Sequence, residues 1–170
     1  MTKEEVIKQA RAICKKIEVD LKSKPQSVDF SDKVGVLGTI PWEPRWELRF
    51  SEANVAISDQ NGDLTHFVSH VPYTDISKLS PEDSEIPESG LAQKAIYFAK
   101  ILKIPDISYS KYSIVRGGII NGVHEPKAIF FWKRRFQNVE YLNQHFSLTL
   151  DSYSGRVIGF GRIYLTGFAS

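Results

Sequence analysis

The sequence predicts an α+β protein in which a helix followed by a short antiparallel sheet occurs twice. Three observations lead there. Apolar residues recur at helical spacing near residues 3–19 and again near 88–103. Each such segment is followed by runs in which apolar and polar residues alternate, the period of a half-buried strand. The two runs also overlay in order. Ala10 and Ile17 match Ala95 and Leu102, Trp46 and Phe50 match Trp132 and Phe136, and Val55, Ile57, Gly62, Leu64 and Phe67 match Leu148, Leu150, Gly155, Val157 and Phe160. The expected division is a first unit at 1–71, a connector at 72–87 and a second unit at 88–170.

The first helix opens with Thr2 and Glu5, a capping-box spacing in which each side chain satisfies an orphan amide of the other. Val6, Ile7, Ala10, Ile13, Cys14 and Ile17 form its apolar stripe, opposite Lys8, Arg11, Lys15 and Lys16. The stripe ends near Val19. Strand signals follow at Val34, Val36 and Ile40, and then at Trp46, Leu48 and Phe50, which alternate with Arg45, Glu47 and Arg49. Val55 and Ile57 lie on the next strand. Asp59-Gln60-Asn61-Gly62 makes a turn, and Leu64, Phe67 and Val71 return with a spacing that needs a bulge or twist.

Residues 72–87 mix Pro72, Pro81 and Pro87 with serines and the acids Glu82, Asp83 and Glu85, a connector composition. The second helix carries Leu91, Ala92, Ala95, Phe98, Ala99 and Leu102, and Pro105 stops it. Strands are expected around Ile107 to Ile114, over Ala128 to Phe136, at Phe146 to Leu150, and from Val157 to Tyr164. Gly117-Gly118 reads as a turn.

Composition narrows the function classes. With 42% hydrophobic and 25% charged residues, the chain is neither disordered nor fibrous. A net charge of +2 is too small to attract nucleic acid or a membrane by bulk electrostatics. One cysteine excludes an internal disulfide, and Cys14 on a helical stripe reads as a small hydrophobe. No apolar run is long enough to span a membrane. The N-terminus, Met1 to Glu5, is polar and acidic, unlike a signal peptide.

The most specific local pattern is the hairpin Leu148-Thr149-Leu150-Asp151-Ser152-Tyr153-Ser154-Gly155-Arg156-Val157. Alternating apolar residues set its inward face, Asp151 can bond turn amides, and Gly155 supplies the positive φ that closes it. The first copy has Ser58 where the second has Asp151. The pattern resembles the PepSY domain and the related YcdB/YcdC-type repeats, whose hairpin reads apolar-x-apolar-Asp-x-x-Thr-Gly-x-apolar. Leu148, Leu150, Asp151, Gly155 and Val157 fit, with Ser154 in the place of threonine. The resemblance implies a helix across a curved antiparallel sheet in the cystatin-like manner. It also implies a binding or peptidase-inhibitory role in the cell envelope, and it brings no catalytic residue and no cofactor with it.

Trp132, Arg134 and Arg135, in the stretch Phe130-Phe131-Trp132-Lys133-Arg134-Arg135-Phe136, are the candidate partner-binding residues. If the register of Trp46 and Leu48 applies, Arg134 falls where the first copy has Leu48. A buried guanidinium then needs a carboxylate, a bulge or an open face. The competing reading is a core tryptophan beside a solvated charge. Nucleic acid is not the expected partner, because no wider basic patch supports it. His66 and His70 would stand about 13 Å apart along one strand, too far for one metal, and no acid stands at zinc spacing with the four histidines. The reading is thus a non-enzymatic binder of a protein or peptide partner, a peptidase among them, through an open sheet face or edge. The alternative is a cystatin-like carrier or enzyme with a pocket between helix and sheet. Oligomeric state is left open.

Overall fold

The computed structural model describes residues 1–32, 44–104, 111–120, 122–136 and 139–163. Along these the chain runs α1 (Lys3–Lys16), β1 (Ser27–Ser31), β2 (Arg45–Arg49), β3 (Ala53–Ser58), β4 (Leu64–Ser69), α2 (Glu88–Ile101), β5 (Ser113–Arg116), β6 (Ile119–Ile120), β7 (Val123–His124), β8 (Lys127–Phe136), β9 (Val139–Asp151) and β10 (Val157–Ile163). A single 3-10 turn, Ile76–Lys78, lies between β4 and α2. The strands expected at Val34, Val36 and Ile40, and at Ile107 and Tyr109, fall outside the described residues. Strand β1 was not anticipated: only Val28 and Phe30 alternate there, too short a pattern to register.

One antiparallel sheet holds eight strands in the order β1-β2-β3-β4-β10-β9-β8-β5, and β6 and β7 pair as a small separate hairpin. In chain order β1 to β4 meander from one edge inward to the centre, and β5, β8, β9 and β10 do so from the other edge. They join at β4 and β10, where Phe67 stands directly opposite Phe160. Both helices lie on one face, α1 against β3 and α2 against β8 and β9. A single core joins them, with Val6, Ala10, Phe50, Phe67, Phe98, Trp132, Phe146 and Phe160 all buried.

Each helix forms for local reasons. The capping box of α1 is complete, Glu5 N–H donating to the Thr2 hydroxyl at 3.2 Å and Thr2 N–H to the Glu5 carboxylate at 2.7 Å. Pro87 precedes α2, its fixed φ suited to a helix start. Both helices close through a residue of positive φ that is not glycine, Glu18 (φ 64°) and Lys103 (φ 50°). The bulge needed by Leu64 and Phe67 is present: β3 shifts register between Ala56 and Ile57, so both side chains stay inward.

The ladders also correct the sequence overlay. Leu48 stands opposite Val55, and Phe130 stands opposite Leu148. Phe50 closes its hairpin on Ala53 (N–H to O, 2.8 Å), whereas Trp132 stands opposite Phe146. Trp132 therefore occupies the ladder position of Phe50, not that of Trp46. Strands β8 and β9 then continue past that point through Lys133 to Phe136 and Val139 to His145, where β2 and β3 have already turned.

Candidate functional site

Trp132 is fully buried, stacked on Phe130 at 6.2 Å and tilted against Phe146 at 5.1 Å. Its indole N–H has no hydrogen-bond partner among the described residues. A partner cannot reach this side chain while the core is closed. Arg134 lies in the ladder extension, at a bulge between Lys133 and Arg135, and Arg135 stands opposite Glu140. The bulge is one of the three ways in which a guanidinium at this point escapes burial. The side chains of Arg134 and Arg135 lie outside the described residues.

The other prominent sequence feature, Asp151, is a structural anchor. Its buried carboxylate accepts from Thr74 N–H (2.6 Å), the Thr74 hydroxyl (2.9 Å), Tyr153 N–H (3.0 Å) and Ser154 N–H (3.0 Å). Burial works against its ionisation, but these donors outweigh it and hold the carboxyl below its usual value. Ile86 N–H reaches Ser152 O at 2.8 Å. Both ends of the 72–87 connector are thus tied to one turn.

Cys14 is buried, and loss of water pushes its thiol up to about 12, which removes it as a nucleophile at neutral pH. Among the described residues no group of three or more His, Cys, Asp or Glu is placed to hold a metal. The described helix–sheet interface is occupied by side chains, Phe50, Phe98, Trp132 and Phe146 among them.

The open feature lies on the opposite face. The alternation in β2 that sends Leu48 inward sends Arg45, Glu47 and Arg49 outward. Neighbouring β3 presents only the short Asn54 and Ala56 on that side, and β4 raises His66 and Val68 beyond them. Long side chains on two strands with short ones between leave a groove of 310 Å³ along β3, reaching Ser27 and Asp29 on β1. Arg45 donates to Glu47 from Nε at 2.9 Å and from a terminal nitrogen at 2.6 Å. His66 is held below its usual value first by the water it loses against the sheet and then by Arg45, with Glu47 opposing. Sequence reasoning read the alternation correctly and missed the groove, because its walls come from strands that meet only on folding.

The fold has a solved counterpart. It is similar to the C-terminal domain of YpeB from Bacillus megaterium, with a TM-score of 0.58 and 12% identity, over 95% of this chain and 62% of that one. This chain thus spans less than two thirds of the length of that structure. At such identity the likeness is one of fold. No protein-family model and no curated protein sequence matches the chain.

Proposed function

We propose that the protein is a non-enzymatic binding module, built of two PepSY-like helix-and-sheet units, that takes a protein or peptide segment on its outer sheet face. The observation that carries this is the groove of 310 Å³ along β3 on the face away from both helices. Its walls are charged and its floor is short, so an extended segment can lie in it beside the β1 edge. Two units as the building plan are supported by the mirrored strand order and by the two turns. Gly62 N–H reaches Ser58 O at 2.9 Å and Gly155 N–H reaches Asp151 O at 2.8 Å. The fold likeness to the YpeB domain is in keeping with the PepSY resemblance.

A titration of the isotope-labelled protein with a degenerate pool of six-residue peptides, read by NMR, tests the binding role. Shifts at Asn54, Ala56, His66 and Val68 are expected. Shifts confined to the helix side, or none at all, overturn it. Peptidase inhibition is the narrower form of the reading, and it rests on the PepSY resemblance. An assay against secreted peptidases that shows full residual activity removes it and leaves the groove untouched.

A further inference from the structure

The charges in the groove are arranged in two rows across the sheet. In one row Ser27, Arg49 and Asn54 stand directly opposite one another on β1, β2 and β3. A guanidinium is there flanked by a hydroxyl and an amide, three donor-bearing side chains in line. In the next row Asp29 stands directly opposite Glu47. Like charges in that relation destabilise a sheet. Arg45 answers Glu47, but Asp29 has no ion-pair or hydrogen-bonding partner for its carboxylate among the described residues, and Arg49 has none for its guanidinium. Both side chains are exposed and both line the groove. Folding alone gives no reason to place an unanswered acid opposite another acid.

We infer that the groove binds a small zwitterion of dipeptide size, its ammonium on Asp29 beside Glu47 and its carboxylate on Arg49 with Ser27 and Asn54. The inference rests on the groove being the binding face. Size follows from spacing: the rows lie two residues apart along the strands, about 7 Å, and two extended residues span about 7 Å. A single amino acid, with its charges closer together, matches this row spacing less well. A volume of 310 Å³ lies in the range of small-ligand sites, and Ala56 at the end of the acidic row and Val68 at the end of the other offer apolar contact.

The probe is alanyl-valine, compared with its N-acetyl form, its C-terminal amide and free valine, each titrated by NMR into the intact protein. The free dipeptide is expected to shift Asn54, Ala56 and Val68, and blocking either end to weaken binding at least tenfold. Valine alone should bind at least tenfold more weakly as well. In D29N the acetyl group should cease to matter, and in R49Q the amide should cease to matter. Blocked forms that bind the wild-type groove as well as the free dipeptide overturn the zwitterion and leave the peptide groove standing. Valine binding as tightly as the dipeptide overturns the size argument. No shift at groove residues from any of these ligands, or from the six-residue pool, overturns both readings. The wild-type comparisons need no variant, so they decide the matter even if a substitution disturbs the sheet.

Discussion

The turn at Ser58–Gly62 and the turn at Asp151–Gly155 share a backbone and differ in what the first residue holds. In both, an i to i+4 bond closes on a glycine of positive φ, 72° and 70°, and in both the first residue is buried. In the first turn the Ser58 hydroxyl accepts from Gln60 N–H at 3.3 Å, so this bond stays within the turn. In the second, the Asp151 carboxylate spends two of its four bonds on Thr74, which lies on the connector. The second hairpin thereby ties the connector to its own turn through one carboxylate. A carboxylate can do this because it has acceptor capacity left over after the turn amides are satisfied.

The largest expected effect comes from the core position at which the halves also differ, Phe50 in one and Trp132 in the other. Trp132→Ala should cost about 3–5 kcal/mol in urea unfolding. Trp132→Phe should cost less than about 1.5 kcal/mol, since it also removes an indole N–H that has no partner among the described residues. A loss for Trp132→Phe close to that for Trp132→Ala would mean that the indole makes a contact not seen here.

The turn comparison comes next. Asp151→Ala leaves part-buried donors from Thr74, Tyr153 and Ser154 unanswered, and it should cost roughly 2–4 kcal/mol. Ser58→Ala removes a neutral hydroxyl, whose bond from Gln60 N–H is long, and it should cost less, roughly 1 kcal/mol. The Asp151 variant should also open the connector to limited proteolysis between Pro72 and Pro87, and the Ser58 variant should not. Equal costs, or a connector equally protected in both, would break the contrast.

The same carboxylate predicts a pH effect of known sign. Its folded pKa is depressed, so its contribution is present above the unfolded value, about 3.9, and is lost as pH falls through the folded value. Wild-type stability should therefore exceed that of Asp151→Asn at pH 6, and the gap should shrink on going to pH 3. Glu5, Glu52, Asp59, Asp75 and Glu125 are depressed too, each chiefly by the hydrogen bonds it accepts, so the difference between the two proteins carries the signal rather than either curve alone. A gap that holds constant over that range would place the stabilisation in shape rather than in charge.

How far these features were open to sequence reasoning depends on the range of the interaction that makes them. The cap of α1, the stripes of both helices, the two glycine turns and the alternation of Arg45, Glu47 and Arg49 are set within a few residues, and all were read. The pairing of Trp132 with Phe146 was not. Trp46-x-x-x-Phe50 and Trp132-x-x-x-Phe136 coincide in spacing, and that likeness hid a register that only the partner strands decide. The tether from Asp151 to Thr74 spans the connector, so the aspartate was seen and its partner was not. The groove needs four strands at once, one of them β1, whose two apolar residues were too few to mark it.

The smallest effect tests the helix ends, where the halves agree in backbone and differ in surroundings. Glu18 and Lys103 both hold positive φ after a helix, a conformation that costs a residue with a side chain about 1 kcal/mol or more and glycine almost nothing. Lys103→Gly should therefore stabilise the protein by about 0.5–1 kcal/mol. Glu18 carries an added duty, because its carboxylate lies 3.3 Å from the ammonium of Lys94 on the other helix. That pair is exposed and worth about 0–1 kcal/mol, so Glu18→Gly should gain less, and its gain should rise with salt as the lost attraction becomes irrelevant. If the two glycine variants gain equally at low salt, the bridge between the helices contributes nothing. If only Glu18→Gly destabilises, the bridge outweighs the backbone strain, and the contact between the two halves is stronger than an exposed ion pair allows.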